Sequence, residues 1–215
     1  GWTDMRKAIA ISSNVYFYTI GGGYGDIAGL GVERLRYYFS QFGLGIKTGV
    51  QLSEEANGFI PSSEWKNSLG RLWLIGDTYN MSIGQGDLLV TPLQLARAVA
   101  IIANGGKTIQ PTIIKQDNED VSAGGSLFRE ENLHIVREGM RGAVTYGSAR
   151  LLNTLSGKAA GKTGTAQVGG TQANNAWFVG FAPYDNPEIA FAVVIEGGGE
   201  GSSTAVPVAF DLLDW

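Results

Sequence analysis

The sequence predicts a mixed α/β fold of the segregated, α+β kind. Three observations carry this reading. Apolar residues recur with a helical period over most of the first 155 positions, strand-like patterning begins after Leu155, and the turn-forming PYDNP stretch separates two apolar runs. Helices therefore come first, followed by a small antiparallel sheet and a closing helix.

Taken in order, Thr3 to Tyr18 reads as one helix, although Ser12, Ser13 and Asn14 form an unusual polar patch in its middle. Gly21 to Gly31 is a glycine-rich connection. Val32 to Phe42 is amphipathic, with Leu35, Tyr38, Phe39 and Phe42 on one face and Gly43 as its stop. Gly45 to Leu74 reads mostly as loop. The best-marked helix starts after Thr91. Thr91 as N-cap, Pro92 at the first helical position and Gln94 three residues after the cap make a capping box, and Asn104-Gly105 ends the helix. Lys107 to Lys115 is expected to be extended, and Asp117 to Ser126 to be a polar insertion. Leu127 to Thr145 is a helix interrupted by Gly139 and Gly142. Gly161 to Val168, Ala176 to Ala182 and Glu188 to Glu196 read as strands, the last two as a hairpin closed by PYDNP. Thr204 to Trp215 is the closing helix, with Val206, Phe210, Leu212 and Leu213 apolar. The expectation is one domain over 1–215, mainly helical through 158 and sheet plus helix from 159.

Composition narrows the chemistry. Charged residues make up 17% of the 215, hydrophobic residues 44%, and the formal charge is -4, so no polybasic field invites nucleic acid. No cysteine is present, which removes disulfides and thiol catalysis, and the single histidine, His134, makes a multi-histidine zinc site impossible and a Ser-His-Asp triad unfavoured. No metal or cofactor is implied. The longest apolar run, Ile189 to Ile195, is far shorter than the roughly 18 residues of a membrane span. Acyl-transfer chemistry in such a chain calls for serine and lysine.

Several short motifs compete. Gly161-Lys162-Thr163-Gly164-Thr165 is not a phosphate loop, because the position five residues before Gly161 is Ser156 rather than glycine. Lys-Thr-Gly occurs at 47–49 and at 162–164. The first copy reads as a surface turn, while the second lies on a strand directly before the hairpin. Ser63-Glu64-Trp65-Lys66 spells Ser-x-x-Lys, but it follows Pro61 in a polar loop without an apolar helix to hold it. Ser12-Ser13-Asn14 spells Ser-x-Asn.

Together, Ser-x-Asn and Lys-Thr-Gly belong to the signature of penicillin-interacting serine enzymes. The segments ISSNVYFY, SIGQGDLLVTPLQLARAVAIIANGG, GKTGTAQ and AWFVGFAP resemble the transpeptidase domain of class B penicillin-binding proteins, closest to the elongation-type penicillin-binding protein 2 branch. The resemblance implies a penicillin-binding-protein/serine β-lactamase-like fold and a peptidoglycan D,D-transpeptidase that cross-links D-Ala-D-Ala stem peptides and is acylated by β-lactams. It implies partners in the cell-wall elongation machinery and a parent protein anchored outside the cytoplasmic membrane. A D,D-carboxypeptidase or β-lactamase-related hydrolase, and a non-catalytic binding module on the same scaffold, stand as alternatives.

By the same resemblance, Ser12 passes a proton towards the leaving nitrogen, Asn14 holds the substrate backbone, and Lys162 is the cation beside them. Strand alternation puts Thr163 and Thr165 on one face, where two hydroxyls can grip one carboxylate, with Gly164 leaving room between them. The Thr165 N–H is an oxyanion donor by analogy. Alternation nominally sends Lys162 to the opposite face. The family order is Ser-x-x-Lys, Ser-x-Asn, Lys-Thr-Gly, so Ser63 breaks it, and the nucleophile is expected upstream of Gly1. The chain is thus read as the carboxy-terminal part of a larger domain and is expected to form no acyl-enzyme alone. Gln85 is expected to position a loop near the site, and His134, Trp177, Phe178 and Phe181 to be structural.

Overall fold

The computed structural model describes residues 2–115 and 128–214. The polar insertion expected at 117–126 lies outside the described residues.

The single helix expected over Thr3 to Tyr18 is two. Helix α1 (Met5–Ala10) is capped by Asp4, whose carboxylate accepts the Lys7 N–H at 2.8 Å, and α2 (Asn14–Gly22) is capped by Ser13, which accepts from the Tyr16 N–H at 3.4 Å. The polar patch is the break. Ser13 serves the backbone as an N-cap, and Ser12 turns the chain with φ +57°, a left-handed conformation that interrupts helical hydrogen bonding.

Helix α3 (Gly31–Gln41) follows the amphipathic reading, and α4 (Ser63–Ser68) is a single turn and a half within the long loop region. Helix α5 (Ile75–Ser82) has no counterpart in the sequence reading. Its cap residue is Leu74, which offers no side-chain acceptor; the start is instead held by Asp77, which accepts the Leu74 N–H at 2.8 Å. Helix α6 (Pro92–Ala103) carries the expected capping box. The Thr91 N–H donates to Gln94 at 2.9 Å and the Gln94 N–H to Thr91 at 3.1 Å. Gln94 is fully buried and its amide also donates to Ile46 and Asn57 carbonyls, both at 2.7 Å, so the cap fastens the preceding loops as well. Residues 107–115 join no strand of the sheet; the segment is tied to the 49–51 loop by Gln110 and Gln51.

Helix α7 (Glu130–Thr145) runs without interruption. Gly139 and Gly142 are contact points, because a Cβ at Gly139 would stand 2.8 Å from the Ile9 Cβ and one at Gly142 3.0 Å from the Ala10 Cβ. The missing side chains let α1 lie directly on α7. Gly147, just beyond, is tighter still: a Cβ there would meet the Ala10 carbonyl oxygen at 2.0 Å. Gly147→Ala is therefore expected to cost about 1–3 kcal/mol by overpacking against backbone. Thermal melting checks this, and an unchanged melting temperature would contradict the packing described.

A 3-10 helix (Arg150–Thr154) leads into β1 (Ala160–Ala166), β2 (Asn175–Ala182) and β3 (Ile189–Ile195), and α8 (Ala205–Leu213) closes the chain. The sheet is antiparallel in the order β1-β2-β3, with Thr163 opposite Phe178 and Phe178 opposite Val193. Its two faces are buried separately. Phe178, Ala176 and Phe191 pack with Leu152, Ala205, Val206 and Ala209 on one side, while Phe181 and Ala160 pack with Ile9, Val99 and Met140 on the other. Phe178 and Phe181 are the expected core residues, and Trp177 is half-buried. Burial on both faces fixes the strand register, since a one-residue slip would exchange the two sets of side chains. Among the described residues no helix is long and apolar enough to cross a membrane.

Candidate active site

Two elements distant in sequence meet at one point. The buried end of α1 (Ala8, Ile9, Ala10) rests on the glycine face of α7 and delivers the Ser12 turn to the sheet. The turn is held by hydrogen bonds from the Ser12 N–H to the Ile9 carbonyl (3.3 Å) and from the Ser13 N–H to the Ala8 carbonyl (2.9 Å). A non-glycine residue in the left-handed region is strained and persists only where its surroundings hold it. Here the strain presents the Ser12 hydroxyl to Lys162, whose Nζ donates to Ser12 Oγ at 2.7 Å.

The second hydrogen bond of Lys162 explains how its side chain reaches the site. Nζ also donates to the carbonyl of its own neighbour, Thr163, at 2.7 Å. Among the described residues, strand β1 is paired on one side only, with β2. The Thr165 carbonyl is taken from the other side by Gln85 Nε2 at 2.7 Å. Alternation turns the Thr163 carbonyl to that same unpaired edge. Lys162 thus leaves the sheet on the α1 side, as alternation requires, and bends over the free edge of β1. Burial pushes its ammonium down to about 8 from 10.5, and among the described residues no carboxylate pairs with it. A desolvated lysine touching a hydroxyl is suited to donating and regaining a proton near neutral pH.

Asn14 is exposed at the first position of α2, two residues from Ser12, and its carboxamide makes no hydrogen bond among the described residues. Thr163 and Thr165 share the sheet face opposite Lys162, as read from the sequence, but each hydroxyl already has a protein partner. Thr163 Oγ1 lies 2.6 Å from Ser148 Oγ, and Thr165 Oγ1 donates to Glu200 Oε2 at 2.9 Å. At Gly164 a Cβ would stand 3.2 Å from the Trp177 Cβ, so the residue accommodates β2 closely.

Gln85 completes the edge. Its amide donates to the Thr165 carbonyl and accepts the Gln167 N–H at 3.2 Å, occupying the end of β1 as a neighbouring strand's peptide group would. The unpaired edge from Lys162 to Thr165 is therefore bounded by Ser12 at one end and Gln85 at the other. Alternation also turns the Thr165 N–H outward along this edge. An extended peptide can add to such an edge through main-chain hydrogen bonds. Ser148 and Glu200 were not found by sequence reasoning. A single serine after a glycine and one acid in a glycine run carry no spacing signal.

The competing motifs fall away on geometry. Lys66 turns to Asp77, with Asp87 at 3.8 Å and the Trp73 ring centroid at 5.5 Å, so its ammonium joins α4 to α5 instead of serving Ser63. The Lys47 copy of Lys-Thr-Gly wraps around Glu55, which accepts from the Thr48 hydroxyl and from the Thr48 and Gly49 N–H groups. The Thr48 hydroxyl leads in holding the Glu55 carboxyl below its ordinary range. His134 is exposed on α7, 3.6 Å from Glu138, beside an open cleft of about 620 Å³ whose lining includes neither Ser12 nor Lys162. Among the described residues no group of three His, Asp or Glu side chains could hold a metal ion.

Comparison with known proteins gives a consistent picture. Residues 1–214 match the family described as penicillin binding protein transpeptidase domain. A relative from Haemophilus influenzae named peptidoglycan D,D-transpeptidase MrdA is 33% identical over 242 residues, covering 100% of this chain. The chain spans 36% of that relative's length. Among solved structures, Pseudomonas aeruginosa PBP2 in complex with WCK 5153 superposes with a TM-score of 0.86 at 37% identity, covering 100% of this chain and 47% of that one. The complex of PBP2 and MreC from Helicobacter pylori gives a TM-score of 0.84 at 31% identity, covering 99% of this chain and 39% of the matched one.

Proposed function

Because the chain belongs to the penicillin-binding protein transpeptidase domain family, we propose that it supplies the proton relay and the substrate-docking edge of a peptidoglycan D,D-transpeptidase. The observation that carries this reading is the hydrogen bond from Lys162 Nζ to Ser12 Oγ, which joins a Ser-x-Asn turn to a Lys-Thr-Gly strand across 150 residues of sequence. The remaining part, a serine nucleophile with its activating lysine, lies on this reading outside these 215 residues. Ser63 and Lys66 do not form it, since Lys66 is committed to Asp77.

The stem peptide lies extended along the free edge of β1. Its terminal carboxylate is drawn to the hydroxyls of Thr163 and Thr165, and Asn14 holds its backbone near α2. The nucleophilic serine attacks the penultimate D-alanine carbonyl, losing its proton to its own lysine. The oxygen that becomes negative is stabilised by the Thr165 N–H, a donor fixed before the reaction begins. As the C–N bond breaks, Ser12 gives its hydroxyl proton to the leaving nitrogen and regains one from the Lys162 ammonium. D-Alanine departs. An amine from a second stem peptide then attacks the acyl carbonyl and loses a proton through Ser12 to Lys162, which regains its ammonium form. The ester C–O bond breaks, and the serine oxygen takes its proton back from its own lysine. β-Lactams enter the same site as acylating agents.

On this reading the chemistry lies outside the cytoplasmic membrane, where the substrate is, and the likeness to the relative named MrdA and to a PBP2–MreC complex supports a role in wall elongation with a partner of the MreC kind. A donor stem pentapeptide and an amine acceptor, incubated with the natural chain that contains this segment, should yield a cross-linked product with release of D-alanine. Release of D-alanine with only the shortened donor would indicate a carboxypeptidase instead. No D-alanine release would remove the catalytic reading altogether.

A further inference from the structure

The Thr165 hydroxyl has one proton to give, and it is given to the protein's own carboxylate. Thr165 Oγ1 donates to Glu200 Oε2 at 2.9 Å and accepts the Gly201 N–H at 3.4 Å. A ligand carboxylate approaching Thr165 therefore meets a hydroxyl whose donor capacity is already in use. It also meets a negative charge. Glu200 is exposed, and among the described residues it forms no ion pair that would neutralise it.

The backbone around Glu200 is anchored. The Gly197 N–H donates to Asn175 Oδ1 at 2.9 Å, the Gly199 N–H to the Asn174 carbonyl at 2.8 Å, and Thr204 Oγ1 to the Gly198 carbonyl at 2.7 Å. Gly201 lies so close to the sheet that a Cβ there would meet the Gly164 carbonyl at 2.3 Å and the Trp177 carbonyl at 2.4 Å. With the loop fixed on both sides, the part left free to move is the Glu200 side chain itself.

We propose that Glu200 is a specificity-determining residue: an internal carboxylate that holds the Thr165 hydroxyl in the empty site and competes with the carboxylate of an incoming peptide or β-lactam. This rests on the reading that the β1 hydroxyls receive a ligand carboxylate. Binding of an anionic ligand then requires the Glu200 side chain to rotate away, so the residue lowers the affinity for anionic ligands and leaves neutral ones unaffected.

The test uses the natural chain containing this segment, with Glu200→Gln to remove the charge and Glu200→Ala to remove charge and acceptor together. Two probes are compared: a β-lactam with a free carboxylate and the same lactam with that carboxylate esterified. Acylation by the free acid should rise about tenfold in Glu200→Ala, the scale of one charge-assisted hydrogen bond. Glu200→Gln should give a smaller rise, and the wild-type disadvantage should shrink at high salt. Acylation by the ester should be unchanged in both variants. A slower reaction with the free acid would overturn the proposal, because Glu200 would then be orienting Thr165 for the ligand. Equal changes with acid and ester would also overturn it, by assigning Glu200 a purely structural role. If the wild type is acylated by neither probe, the transpeptidase reading fails and takes this inference with it; acylation of the wild type alone separates the two failures.

Discussion

Replacing Lys162 with alanine should slow β-lactam acylation of the natural chain by about 100- to 10,000-fold, the usual contribution of a positioned proton donor. The effect is large because Lys162 is the cation that touches Ser12, at 2.7 Å. Lys162→Ala also leaves the Thr163 carbonyl without the donor that now occupies it at 2.7 Å. The pH dependence follows from burial. A role as ammonium is fulfilled below about 8, where Lys162 holds its proton, and is lost as the pH rises through that value. Acylation should therefore fall on the alkaline side with a midpoint near 8. Lys162→Arg keeps a charge at any accessible pH, so whatever activity it retains should lack that alkaline limb. Ser12→Ala interrupts the same relay one atom further on. The double variant should be little worse than the slower single variant, because two groups that act as a unit do not lose activity additively. Stopped-flow acylation across a pH series checks all of these outcomes, and additive losses would separate Ser12 from Lys162.

Much of the fold around this candidate site was legible in the sequence, for physical reasons that differ from element to element. The α6 start could be read because a capping box is a local device, complete within Thr91, Pro92 and Gln94. The sheet could be read because its strands alternate and PYDNP marks a hairpin. Helix α5 could not, because its first turn is held by Asp77, which is also engaged by Lys66 from α4, a tertiary partner with no local signature. The continuous helix expected at the start failed at Ser12. A hydroxyl-rich stretch can sit inside a helix or cap the next one, and the choice here is made by the packing of α1 against α7.

Alternation alone placed Lys162 away from the threonines, and that was correct for the strand. What it could not supply was the bend of a long side chain over an unpaired edge. Likewise the two threonine hydroxyls share a face as read, yet their partners, Ser148 and Glu200, come from two loops far apart in the sequence, one before the 3-10 helix and one before α8. Glycine was misread in the opposite direction. Gly139 and Gly142 look like helix breakers in sequence, whereas in the fold they are where two helices touch.

The identity of the nucleophile is the claim on which the rest depends, and intact-mass analysis with a labelled β-lactam addresses it most directly. The natural chain and the 215-residue chain are each incubated with the probe, weighed, and mapped by proteolysis. The expected result is one equivalent of label on a serine outside these 215 residues in the natural chain, no stoichiometric label on the shorter chain, and unchanged labelling in Ser63→Ala. A stoichiometric mass gain on Ser63 would contradict the proposed site, since it would mean that Lys66 leaves Asp77 to activate its neighbour and that Ser12 and Lys162 serve a different purpose.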